Sequence, residues 1–538
     1  MNLATQLSEP TPKEMVFTSI ALIFYLALAK WIYATVSRQT KSDLTPEFGS
    51  WFNLRDITED VGIHNDARRG MDEGYDKFSK NGKPFWMKNW PLKSDLMMPI
   101  NEIRRLMKEP DSVLSLSTVI EDSFSTQYTL PFAEHPTQET VVRKYLTKKL
   151  PELTADIMDE IEASLAEIWG TDTANFRDVP ILGTVEKILA RSNNRVFVGQ
   201  PLCRNNDYLK VAAKFSNDVA FFGTIISLLP RILKPVLGRL LAIPNMIHYK
   251  RAAKYLQPHI RQRFLEFQEK GSTNNDFVTW AIEDAIKNGD KQKLSPEVIS
   301  TRIITVNFAS IHSSSFTTTN ALLDILSSPP APDGTLLLDT LRDEVMRIYT
   351  EERSQWTKTG VDRMVRVDSA VKESMRYSGI LYRGVVRKVM DPSGYQATKD
   401  LLIPPGTNIS VAAWSIHHDA SFYENPHEYD ALRFSRPRED IAQKTQSGVI
   451  TEKNIENAIA VDKVNSLSTT SETFLAWGHG RKSCPGRYFA TDVMRLVIAS
   501  MVKDYEIEPL LVRPKNKWIM DTILPPGGAM LRIRRRQH

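Results

Sequence analysis

Phe474-Leu475-Ala476-Trp477-Gly478-His479-Gly480-Arg481-Lys482-Ser483-Cys484-Pro485-Gly486-Arg487-Tyr488-Phe489-Ala490 gathers three glycines, a proline and four basic or imidazole side chains around one cysteine. Beyond Pro485-Gly486 the spacing of Phe489, Val493, Leu496, Val497 and Ser500 predicts a helix with these residues on one face. The cysteine therefore sits on a Gly-rich loop running directly into a helix. A helix N-terminus offers unpaired N–H groups and a partial positive charge, and both favour a thiolate over a thiol. Arg481, Lys482 and Arg487 add positive charge on either side. A lone intracellular cysteine is ordinarily a small buried hydrophobe, and a Gly-Pro loop ordinarily a turn. Here the surroundings suit a sulfur anion held against something flat that needs close backbone approach. A phosphate-binding loop ending in Lys482-Ser483 is rejected, because Ala476 and Arg481 occupy its two glycine positions.

The rest of the composition is ordinary for a globular chain: 538 residues, 42% hydrophobic and 25% charged. Two cysteines, Cys203 and Cys484, exclude a disulfide framework and leave no thiol cluster for zinc or an iron–sulfur centre. The net charge of +5 is modest, and the tail Arg532-Ile533-Arg534-Arg535-Arg536 supplies much of it as solvated surface. No nucleic-acid partner is inferred from it.

Met15 to Val36 is the one membrane signal, about as long as a bilayer requires. Lys30 lies near its distal end, where it can snorkel beside Trp31 and Tyr33. Lys30, Arg38 and Lys41 follow the apolar run, which by the positive-inside rule places the remainder in the cytosol. The chain thus divides into a short segment 1–14, a single-pass anchor 15–36, a linker 37–48 and a large domain 49–538. Within that domain, helix is predicted over Ala67–Tyr75, Asn101–Lys108, Glu139–Trp169 and most of Ile181–Ile247. Two short strands are predicted at Pro84–Met87 and Leu96–Pro99. Asp111–Pro136 lacks periodicity and is expected to be a long loop, more often functional than accidental. The apolar run Val219–Leu229 is too short and broken to span a bilayer, and suits either core or a pocket roof touching the membrane.

Ser295–Leu326 is predicted as a long helix with an unusual middle, Val306 to Asn320, crowded with Ser and Thr. Hydroxyls there compete for backbone hydrogen bonds and cost helix propensity. They suit a face packed on small residues or a local bend, or else a hydroxyl-lined groove that positions water and passes protons. Glu373 and Arg376, three apart, share a helix face. His417-His418 is read as structural, since no carboxylate–histidine spacing accompanies it. Near the end, Ile519–Leu524 and Met530–Ile533 flank Pro525-Pro526-Gly527-Gly528 as a hairpin-like turn.

These motifs together resemble the cytochromes P450. Trp477 to Gly486 is similar to that family's haem loop, aromatic-Gly-x-Gly-x-basic-x-Cys-x-Gly, with Trp477 where phenylalanine is usual and Lys482 where arginine or histidine usually meets a haem propionate. The closest likeness is to fungal microsomal members resembling ent-kaurene oxidase, carried by Ala309-Ser310-Ile311-His312, Arg195-Val196-Phe197-Val198-Gly199 and Arg481 to Arg487. The resemblance implies a mainly α fold with small β-sheets, a haem b held between the long helix and the Cys loop, and Cys484 as axial thiolate ligand. Matching residue by residue, Trp477, Gly478, Gly480, Lys482 and Gly486 contact the cofactor. Arg383 and, in place of the absent Trp-x-x-x-Arg motif, Arg143 bind propionates. Ala309 and Ser310 take the small positions of the long helix and line the substrate pocket, with His312 at the acid and Ser313 at the threonine. His312, Ser313 and Ser314 are the implied proton-handling residues. Glu373, Arg376 and Arg433 form a structural clamp, and Ile523 and Leu524 are pocket residues.

A member of this family oxidises a hydrophobic small molecule with O2, here a secondary-metabolite intermediate of terpenoid or meroterpenoid type. No flavin or nicotinamide fingerprint is present. Electrons are thus expected from a separate NADPH–cytochrome P450 reductase, with cytochrome b5 as a second donor, at the endoplasmic reticulum membrane. Arg481, Lys482, Arg487 and Arg495 are candidates for a basic docking face. Two other readings stay open, an oxygen-independent haem-thiolate isomerase or dehydratase, and a membrane-anchored haem protein without catalysis.

Overall fold

The computed structural model describes residues 47–48, 64–89, 93–131, 138–271, 274–447, 455–519 and 522–537. The anchor expected over 15–36 and most of the linker lie outside them. Among the described residues no helix is long and apolar enough to cross a membrane. The helices of eight or more residues are α1 (His64–Lys77), α2 (Ser117–Phe124), α3 (Thr147–Ile168), α4 (Ile181–Phe197), α5 (Asn206–Leu228), α6 (Ile243–Lys270) and α7 (Phe277–Lys287). They continue as α8 (Pro296–Leu326), α9 (Leu337–Glu351), α10 (Val365–Tyr377), α11 (Arg436–Gln446), α12 (Ile455–Asn465) and α13 (Arg487–Asp504). The expected mainly helical architecture with small sheets is what the chain adopts.

The largest sheet runs β1-β2-β3-β9-β6-β4, from Glu47–Phe48, Phe85–Asn89, Lys93–Met98, Asn408–Val411, Gly384–Val389 and Leu114–Ser115. The predicted strand pair is its β2–β3 hairpin, with Trp86 opposite Leu96. A second sheet joins β10 (Tyr505–Ile507), β13 (Met530–Arg535) and β5 (Arg177–Pro180). Two-stranded pairs complete the set, β7 (Tyr395–Thr398) with β8 (Leu401–Ile403) and β11 (Lys517–Ile519) with β12 (Thr522–Leu524).

Two expectations need correction. Asp111–Pro136 is not a long loop: β4, α2 and a turn of helix at Thr126–Thr129 fill its described part. Sequence periodicity misses them because each element is short and packs locally. Ser125 between the two helices has φ 48°, a turn its hydroxyl secures by donating to Gly223 O at 3.1 Å. Nor does Pro525–Gly528 join a hairpin. β12 pairs back onto β11, while β13 crosses to β10 and β5.

The apolar side chains sort into a large helical core and a second core around the main sheet. The first is built on α3, α4, α8, α10 and α13, with Ile157, Ile188, Ile303, Val371 and Leu496 fully enclosed. The second holds Phe85, Met87, Leu96, Ile409 and Val411. Leu475 belongs to the second core and Phe474 to the first, so the Cys loop departs from the seam between them. α8 threads the first core against α4, α5, α6, α10 and α13. Its hydroxyls do not break it. Thr301, Thr305, Ser313, Ser315 and Thr317 each donate to the carbonyl four residues earlier, at 2.6–3.0 Å. Back-bonding inside the helix satisfies groups that would otherwise compete with it.

Candidate active site

Between α8 and the Cys loop lies a cavity of about 850 Å³ of empty space, counting its open mouth. Thr317 and Asn320 line it from α8, Ala476, Gly478 and Lys482 from the loop, and Ile380, Leu381 and Arg383 to Arg387 from the stretch after α10. The loop's shape follows from its glycines. Gly478 and Gly480 both have φ 68°, a conformation side chains resist. A Cβ on Gly480 would press against the Met107 side chain at 3.3 Å. The turn is closed by Cys484 N–H donating to Trp477 O at 2.8 Å, and the Trp477 indole N–H donates to Leu467 O at 2.8 Å.

Cys484 is partly exposed at the end of this turn, immediately before α13. Burial pushes its thiol up, and the N–H groups of Gly486 and Arg487 and the charges of Arg487 and Arg143 pull the other way. The stabilising groups expected at a helix N-terminus are present, but desolvation outweighs them. Arg487 grips the loop from behind, donating to Cys484 O at 3.0 Å and Ser468 O at 3.1 Å.

The cationic rim was only partly foreseen. Lys482 reaches the cavity and pairs with Asp111 at 2.5 Å on the surface. Arg383 lines the cavity too and is ion-paired with the buried Asp95. Arg143 instead donates to the carbonyls of Arg481 and Ser483, at 3.2 Å each, so it holds the loop from outside. The residue missed is Arg387. It lines the cavity at 4% exposure, and among the described residues its guanidinium donates only to Val386 O and the Met107 sulfur. No salt bridge reaches it among the described residues, and burial holds its pKa below the usual value. A buried guanidinium without a carboxylate is costly unless a ligand supplies one. Val385, Arg387 and Val389 alternate onto one face of β6, and only the fold shows that this face is the buried one. A flat dianionic group with a metal that binds thiolate fits this donor set.

The α8 residues divide by face. Ala309 is exposed; Ser310, His312 and Ser313 are partly exposed; Ser314 is buried. Ser313 donates to Ala309 O at 2.9 Å and Thr317 to Ser313 O at 2.9 Å, a hydroxyl column leading to the cavity wall. The His312 ring lies 6.0 Å from Phe316, its Nε2 enclosed and without a hydrogen-bond partner. Burial lowers its pKa, so it is neutral near pH 7.

Glu373, Arg376 and Arg433 come together in the structure. Glu373 and Arg376 are both fully buried and doubly hydrogen-bonded at 2.7 and 2.8 Å, and Arg433 Nε adds contacts at 3.1 Å. Arg376 also donates to His417 O at 2.6 Å, and His417 Nε2 accepts the N–H of Leu475 at 2.9 Å. The clamp therefore reaches the Cys loop through one histidine, which gives His417 the structural role expected of it. Among the described residues no cluster of His, Cys, Asp or Glu could hold a bare metal ion. Ile523 is buried in the sheet core and donates its N–H to Ile380 O at 2.8 Å, so it backs the cavity wall; Leu524 is partly buried. Arg495 is no docking residue. It is 4% exposed and paired with Asp368 inside the fold, and Arg487 is likewise engaged, which leaves Arg481 and Lys482 exposed.

The pattern that defines the family described as Cytochrome P450 matches residues 117–533. The chain belongs to the cytochrome P450 family. Similar proteins include the cytochrome P450 monooxygenase gloP of Glarea lozoyensis, 31% identical over 507 residues covering 90% of this chain and 89% of the relative. The cytochrome P450 monooxygenase htyF of Aspergillus rugulosus is 32% identical over 507 residues, 89% of this chain and 72% of the relative. Cytochrome P450 monooxygenase 151 of Postia placenta is 30% identical over 524 residues, 95% and 98% of the two chains. As a P450 the chain is a monooxygenase, an oxidoreductase whose family implies a haem-thiolate cofactor, O2 and a redox partner.

Proposed function

We propose that this P450 binds haem b through Cys484 and oxidises a hydrophobic secondary-metabolite intermediate of terpenoid or meroterpenoid type. Electrons would come from NADPH through a separate reductase. The observation that carries the cofactor assignment is the buried Arg387, joined by no salt bridge among the described residues, facing the same cavity as the Cys484 loop. Bound haem supplies oxygen activation and C–H oxidation. The chain's own residues do the rest. Cys484 offers its sulfur, with the N–H groups of Gly486 and Arg487 tempering its charge. Arg387 and Lys482 face the acidic edge. The Glu373–Arg376–His417 chain holds the loop in register. Ser313 and Thr317 present hydroxyl oxygens along α8, where a proton can be handed on. The apolar wall of Leu116, Ile380, Val385 and Leu475 excludes water from an apolar ligand.

Attachment at the endoplasmic reticulum membrane, catalytic domain in the cytosol, is part of the same proposal. Its support is the sequence of residues 15–36 together with an apolar surface between α5 and α6. Ile232, Val236 and Leu240 there are 85%, 65% and 57% exposed, beside Phe221 and Ile247. Apolar side chains exposed in such number over one segment suit lipid contact.

The test is the carbon monoxide difference spectrum of the reduced protein. A thiolate-type Soret band is expected, and Cys484→Ser abolishes it; a band unchanged in that variant rejects the assignment.

A further inference from the structure

Arg513 lies in the loop between β10 and β11, outside every motif noted above, and its guanidinium forks in three directions. Nε donates to Asp324 Oδ1, an ion pair in which the carboxylate is fully enclosed. Nη2 donates to Asn320 Oδ1 at 3.0 Å and Ser378 Oγ at 3.1 Å. Nη1 turns back to its own loop, to Pro514 O at 2.8 Å and Asn516 Oδ1 at 3.2 Å. Asp324 also accepts from Ser374 Oγ at 2.5 Å and Ser378 Oγ at 3.1 Å. One planar group thus joins α8, α10 with the residue just after it, and the loop that enters the β11–β12 hairpin.

The same elements build one wall of the cavity. Asn320, Ser374 and Ser378 line it, as do Ile380 and Leu381 just beyond. The hairpin is fastened to that last pair: Ile523 N–H donates to Ile380 O at 2.8 Å, and Thr522 bridges Leu381. A buried ion pair adds little net stability, but a fork whose donors are all directed fixes orientation in a way an ammonium cannot.

We infer that Arg513 is a positioning residue for substrate, setting the hairpin and the Gly379–Leu381 wall against α8 and so the shape an apolar ligand must fit. It touches no reacting atom. The inference rests on the haem-thiolate reading for its probe, because iron-binding imidazoles report both the iron and the space around it.

The experiment uses full-length holoenzyme and two ligands, imidazole and 1-(triphenylmethyl)imidazole, titrated by the Soret shift. Arg513→Met alone strands a buried carboxylate, so the informative variants are Arg513→Met/Asp324→Asn, which removes both charges, and Arg513→Lys, which keeps the charge and loses the fork. Imidazole affinity is expected to stay within about twofold of the unaltered protein, while the bulky imidazole weakens about tenfold in both variants. Parallel changes for the two ligands, no change for either, or loss of the thiolate band in the double variant would assign Arg513 to general stability and overturn the inference. No Soret response to imidazole in the unaltered protein would overturn the haem reading first, and this one with it.

Discussion

His417 shows how much one buried side chain can decide. Its carbonyl accepts from Arg376, its Nε2 accepts from Leu475, and its ring lies 5.7 Å from Phe474. Burial, with His418 and Arg376 nearby, pulls its pKa down to about 3, and His418 is held at about 3 as well. The ring must stay neutral to keep accepting. Between about pH 3 and 6.5 the unfolded chain therefore takes up protons that the folded chain does not. Stability is full above that window and declines as pH falls through it, by up to about 1.4 kcal/mol per pH unit for each histidine. Thermal melts from pH 7 to 4.5 are expected to show that decline. His417→Gln, which keeps an acceptor and cannot titrate, is expected to make it shallower; an unchanged slope would refute the role. At the same scale, Arg387→Met is expected to lower the haem-to-protein ratio of purified protein several-fold, and Lys482→Met, whose ammonium is exposed and paired with Asp111, to lower it less. Cys484 was legible in the sequence because glycines and charges crowd around it within a short span. Arg387 was not, because its meaning depends on which face of β6 is buried.

Elements defined by long periodicity were readable: α3 and α8 fall close to the predicted spans, and α13 begins where the sequence places it. Elements defined by what they pack against were not. α2 and the turn after it form because α5 lies over them. Gly223 on α5 comes so near that an added Cβ would sit 2.3 Å from the Phe124 carbonyl oxygen, a backbone atom that cannot swing away. Phe124 in turn packs edge-on against Phe308 of α8, with ring centroids 5.1 Å apart. Gly223→Ala is expected to cost about 1–3 kcal/mol through this overpacking. It should also speed proteolytic cleavage within 117–131 while leaving cleavage elsewhere unchanged; uniform cleavage rates would argue against a local effect. The same dependence on tertiary partners hid the Asp368–Arg438–Arg495 network, whose members come from α10, α11 and α13. In sequence, Arg495 is one more charge.

On the scale of the whole molecule, two cores meet at a seam, and the Cys loop leaves from that seam. Both the family and its chemistry were legible because a few motifs stand in order along the chain. Substrate was not, because the cavity wall is assembled from residues more than a hundred positions apart, such as Leu116, Asn320 and Leu475. The apolar surface between α5 and α6 belongs at this scale as well. Full-length protein carrying an environment-sensitive dye at Val236→Cys is expected to show a blue-shifted, brightened emission on adding phosphatidylcholine vesicles. A dye at Glu351→Cys, an exposed position flanked by Arg347 and Arg363, should not respond. Equal responses at both sites would reject lipid contact by this face.

The back-bonded hydroxyls of α8 carry a consequence for whatever meets them. Ser313 and Thr317 each spend their one hydrogen on the helix itself. What they turn outward is lone pairs, so this stripe of the wall is a row of acceptors. A guest offering O–H or N–H is welcomed there, and one offering only a carbonyl is met by like partial charge. A proton moving along the row must first free each hydrogen from the backbone, so any traffic there is gated by the helix's own bonding.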